Sequence, residues 1–152
     1  MLATPLRLFW RWLALANPVT IKRTAFDIAK ATLPDFTATW GFTTREPPRL
    51  WLYMGDMQWP SSQWQTNRSR QHEMTSPLIL NALTVRKSAE ESEAWILEQL
   101  NALEDAFGAD SALREAGVIT WELNPRQVGT QPSTDGGIEA QAVFELRVTY
   151  RP

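Results

Sequence analysis

A nucleophile-and-base site needs a histidine or its equivalent held by an acid. The chain supplies one histidine, His72, followed directly by Glu73. The residues around it are polar, so the simplest expectation is a solvated side chain. Glu90, Glu91, Glu93 and Glu98 are near enough in sequence to pair for acid–base work, but an acidic run on an amphipathic helix is commonly its solvated face or a charged contact surface. Asp56 after Gly55 fits a turn. Gly136-Gly137 is an isolated pair and lacks the spacing of a phosphate-cradling loop. Arg68 and Arg70, with Trp59 and Trp64, have the residue types of a single-strand nucleic-acid platform. Against that, fifteen Lys+Arg and seventeen Asp+Glu leave the chain at net −2, the wrong balance for affinity built on phosphate neutralisation. With no cysteine, a disulfide scaffold, a Cys-ligated zinc, an iron–sulfur cluster and a thiol nucleophile are excluded. A single histidine argues against a histidine-built metal site. These absences remove most enzymes from consideration, and no metal and no cofactor is expected.

The 152 residues suit one domain. A chain of this length buries about 68–70% of its unfolded surface, enough for a core without metals or disulfides. No stretch approaches the roughly 18 uncharged apolar residues of a membrane span. Residues 14–16 (Ala-Leu-Ala) imitate a signal-peptidase site, but nothing before Arg7 is basic, and Arg7 and Arg11 interrupt the apolar run, unlike a secretory signal. Asn67-Arg-Ser69 matches the glycosylation acceptor pattern, which is silent without secretion. The default is a reducing, cytoplasmic origin.

Several elements must position these residues. Residues 2–16 have the spacing of a short amphipathic helix, with Arg7 and Arg11 on one side and Leu6, Phe9, Trp10 and Leu13 on another. Asn17-Pro18 breaks it. A second helix is expected over 19–33, with Ile21, Ala25, Ile28 and Ala29 inward, Lys22, Arg23, Asp27 and Lys30 outward, and Pro34 as its stop. Residues 36–42 and 49–54 read as strands. The second is apolar on both faces and therefore interior in a sheet. Residues 56–76 form a long polar segment, either a loop or, in its second half, the extended start of the next strand, and 77–86 make a third strand. Ser88-Ala-Glu-Glu91 is a capping box. It opens a helix to about Phe107 whose core face is Ile96, Leu100, Leu103 and Phe107, with Gly108 as its stop. A turn or two of helix over 110–116 leads to a strand over 118–123, with Ile119, Trp121 and Leu123 on one face. A mobile loop is expected over 124–137. In 138–150 every even position from Ile138 to Tyr150 is apolar and the odd ones, Val143 apart, are polar, the mark of a strand with one buried and one wet face.

The sum is an α+β (mixed α/β) domain: a single four- to five-stranded, mainly antiparallel sheet against two main helices, in the order α-α-β-β-β-α-β-β. Residues 1–18 form an aromatic docking segment and 19–152 the domain. Of the eight tryptophans, Trp51, Trp95 and Trp121 fit core positions, and Trp40 is open to either face. Trp10, Trp12, Trp59 and Trp64 fall in the two segments least needed for the fold. Tryptophan and arginine are enriched at interface hot spots, so Phe9, Trp10, Trp12, Trp59, Trp64, Arg68 and Arg70 are the candidate protein-contact residues. The alternative for Trp59 and Trp64 is a loop folded back over its own domain.

This layout resembles the tail-terminator (minor tail protein U-like) family of long-tailed bacteriophages. The resemblance is carried by the helix over 19–33, the strands after it, the passage Leu83-Thr-Val-Arg-Lys-Ser-Ala-Glu-Glu-Ser-Glu-Ala-Trp-Ile-Leu-Glu-Gln-Leu100, and the terminal Ala142-Val-Phe-Glu-Leu-Arg-Val-Thr-Tyr150. It covers about residues 19–152, and the segment before Asn17 and the length of 56–76 depart from it. It implies a non-enzymatic, structural virion protein assembled in the host cytoplasm. The protein would be a homohexameric ring at the head-proximal end of the tail tube, which stops tube growth and offers a surface to the neck or head-completion protein. DNA would pass through the lumen without sequence-specific binding. Other readings are another neck or head–tail joining protein of similar fold, a small ligand-binding or enzymatic α+β domain gathering the loop tryptophans with His72 and Glu73, and a membrane-surface protein using residues 2–16.

Overall fold

The computed structural model describes residues 17–43, 46–59, 71–85, 87–134 and 136–151. The expected helix over 2–16 lies outside these. In chain order the elements are α1 (Pro18–Thr32), β1 (Thr37–Thr39), β2 (Leu50–Met54), β3 (His72–Thr84), α2 (Ala89–Ala109), the one-turn α3 (Ala112–Glu115), β4 (Val118–Pro132) and β5 (Ile138–Tyr150). The five strands form one sheet in the order β1-β2-β3-β5-β4. β1 runs parallel to β2 and the other three pairings are antiparallel. The fold is α+β. No helix among the described residues is long and apolar enough to cross a membrane.

The period-2 pattern of β5 sets which face is dry. Ala140, Ala142, Phe144, Leu146, Val148 and Tyr150 are all buried, opposite Ala82, Leu80, Leu78 and Met74 of β3. α1 and α2 lie on this face. α1 starts on Asn17, whose Oδ1 accepts from the Val19 amide at 2.8 Å, with Pro18 in the first turn, where its missing N–H does no harm. It buries Ile21, Ala25, Phe26, Ile28 and Ala29 and ends before Pro34. α2 starts on Ser88, whose Oγ accepts from the Glu91 amide at 3.2 Å, and buries Ile96, Leu100, Leu103 and Phe107. Gly108 does not stop it. The helix runs through to Ala109, and the left-handed glycine that closes the next turn is Gly117 at φ 98°.

The first strand shrinks to Thr37–Thr39. Of the two readings left open for 56–76, the extended one holds for its end: β3 begins at His72, five residues before Pro77, so His72 and Glu73 belong to a sheet strand. β4 continues to Pro132 through most of the segment expected as a mobile loop, leaving a turn over 133–137. That turn closes with the Ser133 amide donating to the Gly137 carbonyl at 2.8 Å and Gly136 at φ 85°. Polar composition hid this strand because β4 is an edge, and an edge strand keeps one side in water. Finally, the register shifts between Val118 and Thr120, which turns Ile119 out to 46% exposure while Val118 and Leu123 stay buried. A bulge of this kind breaks simple alternation.

Proline in an interior strand removes a ladder donor, and β3 compensates locally. The Pro77 carbonyl accepts from the Gly55 amide at 2.8 Å, and the Gly55 carbonyl, which Pro77 cannot serve, accepts from the Ser76 hydroxyl at 3.0 Å. Ser76 is fully buried, so its hydroxyl stands in for the missing N–H. The same closeness requires glycine at 55, because a Cβ there would overlap Pro77 Cγ. Gly55→Ala is expected to destabilise by about 1–3 kcal/mol through overpacking. Adding Pro77→Ala should recover most of that loss in a urea double-mutant cycle. Additive losses would show that the two positions do not meet.

A buried polar link ties the far end of the sheet. Thr84 Oγ1 donates to the Ile138 carbonyl at 3.0 Å and lies 2.7 Å from Ser92 Oγ. A threonine has one hydroxyl proton, so Ser92 must donate to Thr84. β3, α2 and β5 are thereby joined where they meet.

Candidate contact surface

The helices cover one face of the sheet. The opposite face divides in two. On the β2–β3 side, Trp51 and Tyr53 project away from the helices yet are 2% and 9% exposed. Trp51 Nε1 donates to Thr39 Oγ1 at 2.8 Å. The Trp51 and Tyr53 rings lie 4.3 Å apart, and Phe42 rests on both at 5.3 and 5.9 Å. Phe42 itself is 70% exposed. The Tyr53 hydroxyl is held above its ordinary pKa by burial, against the hydrogen bond from Asn81. An exposed phenylalanine over two buried aromatics is an apolar platform set on a strand, a rigid kind of contact feature.

On the β5–β4 side, the face is ionic. Arg126 meets Glu145 at 2.6 Å, and Arg147 reaches Glu145 at 3.4 Å and Glu73 at 3.0 Å. The last approach is by the buried Nε, off the direction of its N–H, so it is a Coulombic contact and not a hydrogen bond. Glu122, Glu139 and Gln131 continue this face. Carboxylates outnumber guanidinium groups across it, which does not suit a phosphate backbone.

Of the contact residues named from sequence, Trp59 is described, and Phe9, Trp10, Trp12, Trp64, Arg68 and Arg70 lie outside the described residues. Trp59 is 46% exposed, but its Nε1 donates to Tyr150 Oη at 3.0 Å. Gln58 makes a two-bond bridge to Thr75 at 2.8 and 2.7 Å. The root of the 56–76 segment is thus tied to the β3–β5 end of the sheet. His72 sits there too, its ring 5.7 Å from that of Tyr150. Trp51 is buried as expected, but on the face away from the helices. Trp95 stacks on Phe36 at 5.9 Å and Trp121 meets Phe107 at 5.7 Å, each partly buried at the core margin. Trp40 turns to the helix side, against Phe26 at 5.7 Å. Sequence reading missed Phe42 and Tyr53. The available signal was the two-sided apolarity of 49–54, which required a cover on both faces. No group of three or more metal-ligating side chains occurs among the described residues.

Lys22, expected outward, is 5% exposed, with its ammonium 4.5 Å from the Trp40 ring centre. Burial pulls its pKa below the ordinary 10.5, with the Asp56 carboxylate opposing. Between the lowered folded value and 10.5 the unfolded chain binds more protons, so stability rises with pH through that window. Tyr53, raised from 10.0, acts oppositely, and its contribution falls as pH rises above 10. Urea midpoints followed by tryptophan fluorescence should climb on the alkaline side and then decline. Lys22→Met should remove the climb and Tyr53→Phe the decline. An unchanged climb in Lys22→Met would assign it to another group.

No family model matches the chain, and no curated protein matches it.

Proposed function

We propose that this protein is a structural virion subunit of the tail-terminator kind, a homohexameric ring at the head-proximal end of a phage tail tube that stops tube growth and receives the neck. The observation that carries the reading is the one-sided sandwich. The two main helices cover one sheet face, and the other presents the Phe42 platform and an ion-pair ladder to further protein. The order of elements over 19–152, which resembles that family, supports it. A subunit of this kind needs a heterologous interface that closes, one surface complementary to the tube and another that accepts no more tube subunits. Its partners are itself, the tail-tube protein and a neck or head-completion protein, and DNA passes through the ring without sequence readout.

The test combines native mass spectrometry of ring formation with tail-length measurement by electron microscopy. Deleting residues 1–16, and separately residues 61–69, should each impair ring formation or tail completion. Phe42→Ala, which leaves the fold intact, should weaken docking to one partner. If both deletions assemble and complete tails of normal length, the assignment is wrong. Label found on the portal side of the neck would make the chain a head–tail joining protein instead.

A further inference from the structure

β4 is the outer strand of the sheet and, at 15 residues, a long one. A long open edge invites pairing with another chain unless prolines, charges or bulges blunt it. β4 is blunted over most of its length. Its register shifts between Val118 and Thr120 and again between Pro125 and Gln127, Glu122 and Arg126 are exposed, and Pro132 ends it. Gln127–Gln131 has none of these devices: it holds no charge, no proline and no register shift.

The hydrogen-bond pattern shows which backbone groups of this stretch face outward. Opposite residues of an antiparallel ladder alternate between pairs whose backbones bond to each other and pairs whose backbones turn away. The Ser133 amide donates to the Gly137 carbonyl, so Gln131, Gly129 and Gln127 turn their backbones to β5, and Pro132, Thr130 and Val128 turn theirs outward. β3 agrees. Pro77 bonds to Gly55 on the β2 side, so its partner Glu145, and with it the odd positions of β5, faces β4. Pro125 pairs with Phe144 and therefore also faces outward. The two prolines thus remove the outward donors at both ends, and between them Val128 and Thr130 present amides and carbonyls with no partner among the described residues. Gly129 lies at the centre. Nothing in its own chain requires a glycine there, because its φ is not left-handed and a Cβ would meet nothing within 4 Å. A glycine inside a strand weakens it, and one of its uses is to admit a second backbone.

We propose that two copies of this chain pair edge to edge through Gln127–Gln131, antiparallel and with a two-fold axis at Gly129, so that one sheet runs through both. The partner is a second copy because the stretch is its own complement. About that axis Val128 of one copy meets Thr130 of the other, with amides opposite carbonyls, and Gln127 meets Gln131. Gly129 meets itself as the pair without hydrogen bonds, where Cα atoms approach to about 4.5 Å. A longer foreign strand would run past Val128 or Thr130 into a proline, whereas the second copy brings its pairing groups over the same span. The register also sets no charge against a like one. Arg126 falls opposite Pro132, and it comes within about 10 Å, two strand spacings, of Glu139 of the other copy, which lies beside Gln131 and accepts from its Nε2 at 2.9 Å. The pairing is isologous, so by itself it joins two copies and builds no ring. It does not rest on the ring reading, and its failure would leave that reading in place.

The experiment uses the full chain and reads mass by sedimentation velocity and native mass spectrometry, up to about 1 mM because a contact of this size belongs to the weak end of interfaces. Wild type should pair, doubling the mass of whatever species the chain otherwise forms. Gly129→Lys and Gly129→Glu each set like charges face to face across the axis and should weaken the pairing about tenfold or more. An equimolar mixture of the two should restore it in one-to-one pairs, which only a residue that faces itself across a two-fold would do. Thr130→Pro removes an outward donor from each copy without touching the ladder to β5, and should also weaken the pairing about tenfold or more. Circular dichroism and urea midpoints check that the variants fold. A wild-type chain that never pairs, variants that pair as wild type does, or a mixture that fails to recover would each overturn the proposal.

Discussion

Phe144→Ala should lower the unfolding free energy by about 3–5 kcal/mol, the range for removing a large side chain from a core that cannot collapse around the gap. Phe144 is fully buried on β5 and pairs with Leu78 of β3 on one side and Pro125 of β4 on the other. Strands flank it in the sheet and helices cover it, so neighbouring backbone is pinned by ladder hydrogen bonds and has little freedom to move inward. A domain of this size has about 5–15 kcal/mol in total, so this single truncation should bring it close to unfolding. Urea denaturation followed by tryptophan fluorescence measures the change. A loss below about 1 kcal/mol would mean that the core relaxes far more than close-packed interiors do.

The second large effect is expected on the other side of the sheet. Trp51→Ala should also cost about 3–5 kcal/mol, although Trp51 belongs to no part of the helix-side core. It is 2% exposed, its indole nitrogen is bonded to Thr39, and its ring contacts those of Tyr53 and Phe42. The Thr39–Trp51 bond also joins β1 to β2 beyond their three paired residues, so the truncation should loosen the shortest strand of the sheet. Phe42→Ala, at a residue 70% exposed, should change stability by no more than about 1 kcal/mol. The contrast is the point of the pair. A large loss at 51 with a small one at 42 defines a second, small core capped by a removable side chain, and it makes Phe42→Ala a clean probe of contact with partners. Equal small losses would show that the aromatic layer contributes little to folding.

The elements that sequence resolved best were those whose physics is local. The alternation in 138–150 and the Ser88 cap each depend on residues a few positions apart, and each stands where it was expected. The elements it misplaced depend on partners far along the chain. Pro77 looked like a strand boundary because a proline lacks a donor, and only the hydroxyl of Ser76 bonded to Gly55 reveals how the strand passes through it. Residues 124–132 looked like a loop because their side chains are polar, but their backbone pairs with β5 from Asn124 to Pro132, interrupted by the register shift between Pro125 and Gln127. Lys22 looked solvent-facing by charge, and the Trp40 ring that covers it comes from another element. Of the contact residues named from sequence, Trp59 shows a half-exposed ring anchored by a bond to Tyr150, 91 residues away.

By itself, the sequence determined the α+β class, the two principal helices and the dry face of the last strand, because hydrophobic periodicity and end caps are written in neighbouring residues. It also determined the charge imbalance between the two halves of the chain. Tertiary structure alone decided that β3 and β5 pair along their full length at the centre of the sheet. It alone decided that Trp51 and Tyr53 turn away from the helices under Phe42, since strand order and register are set by which distant segments pair and no local pattern records that choice.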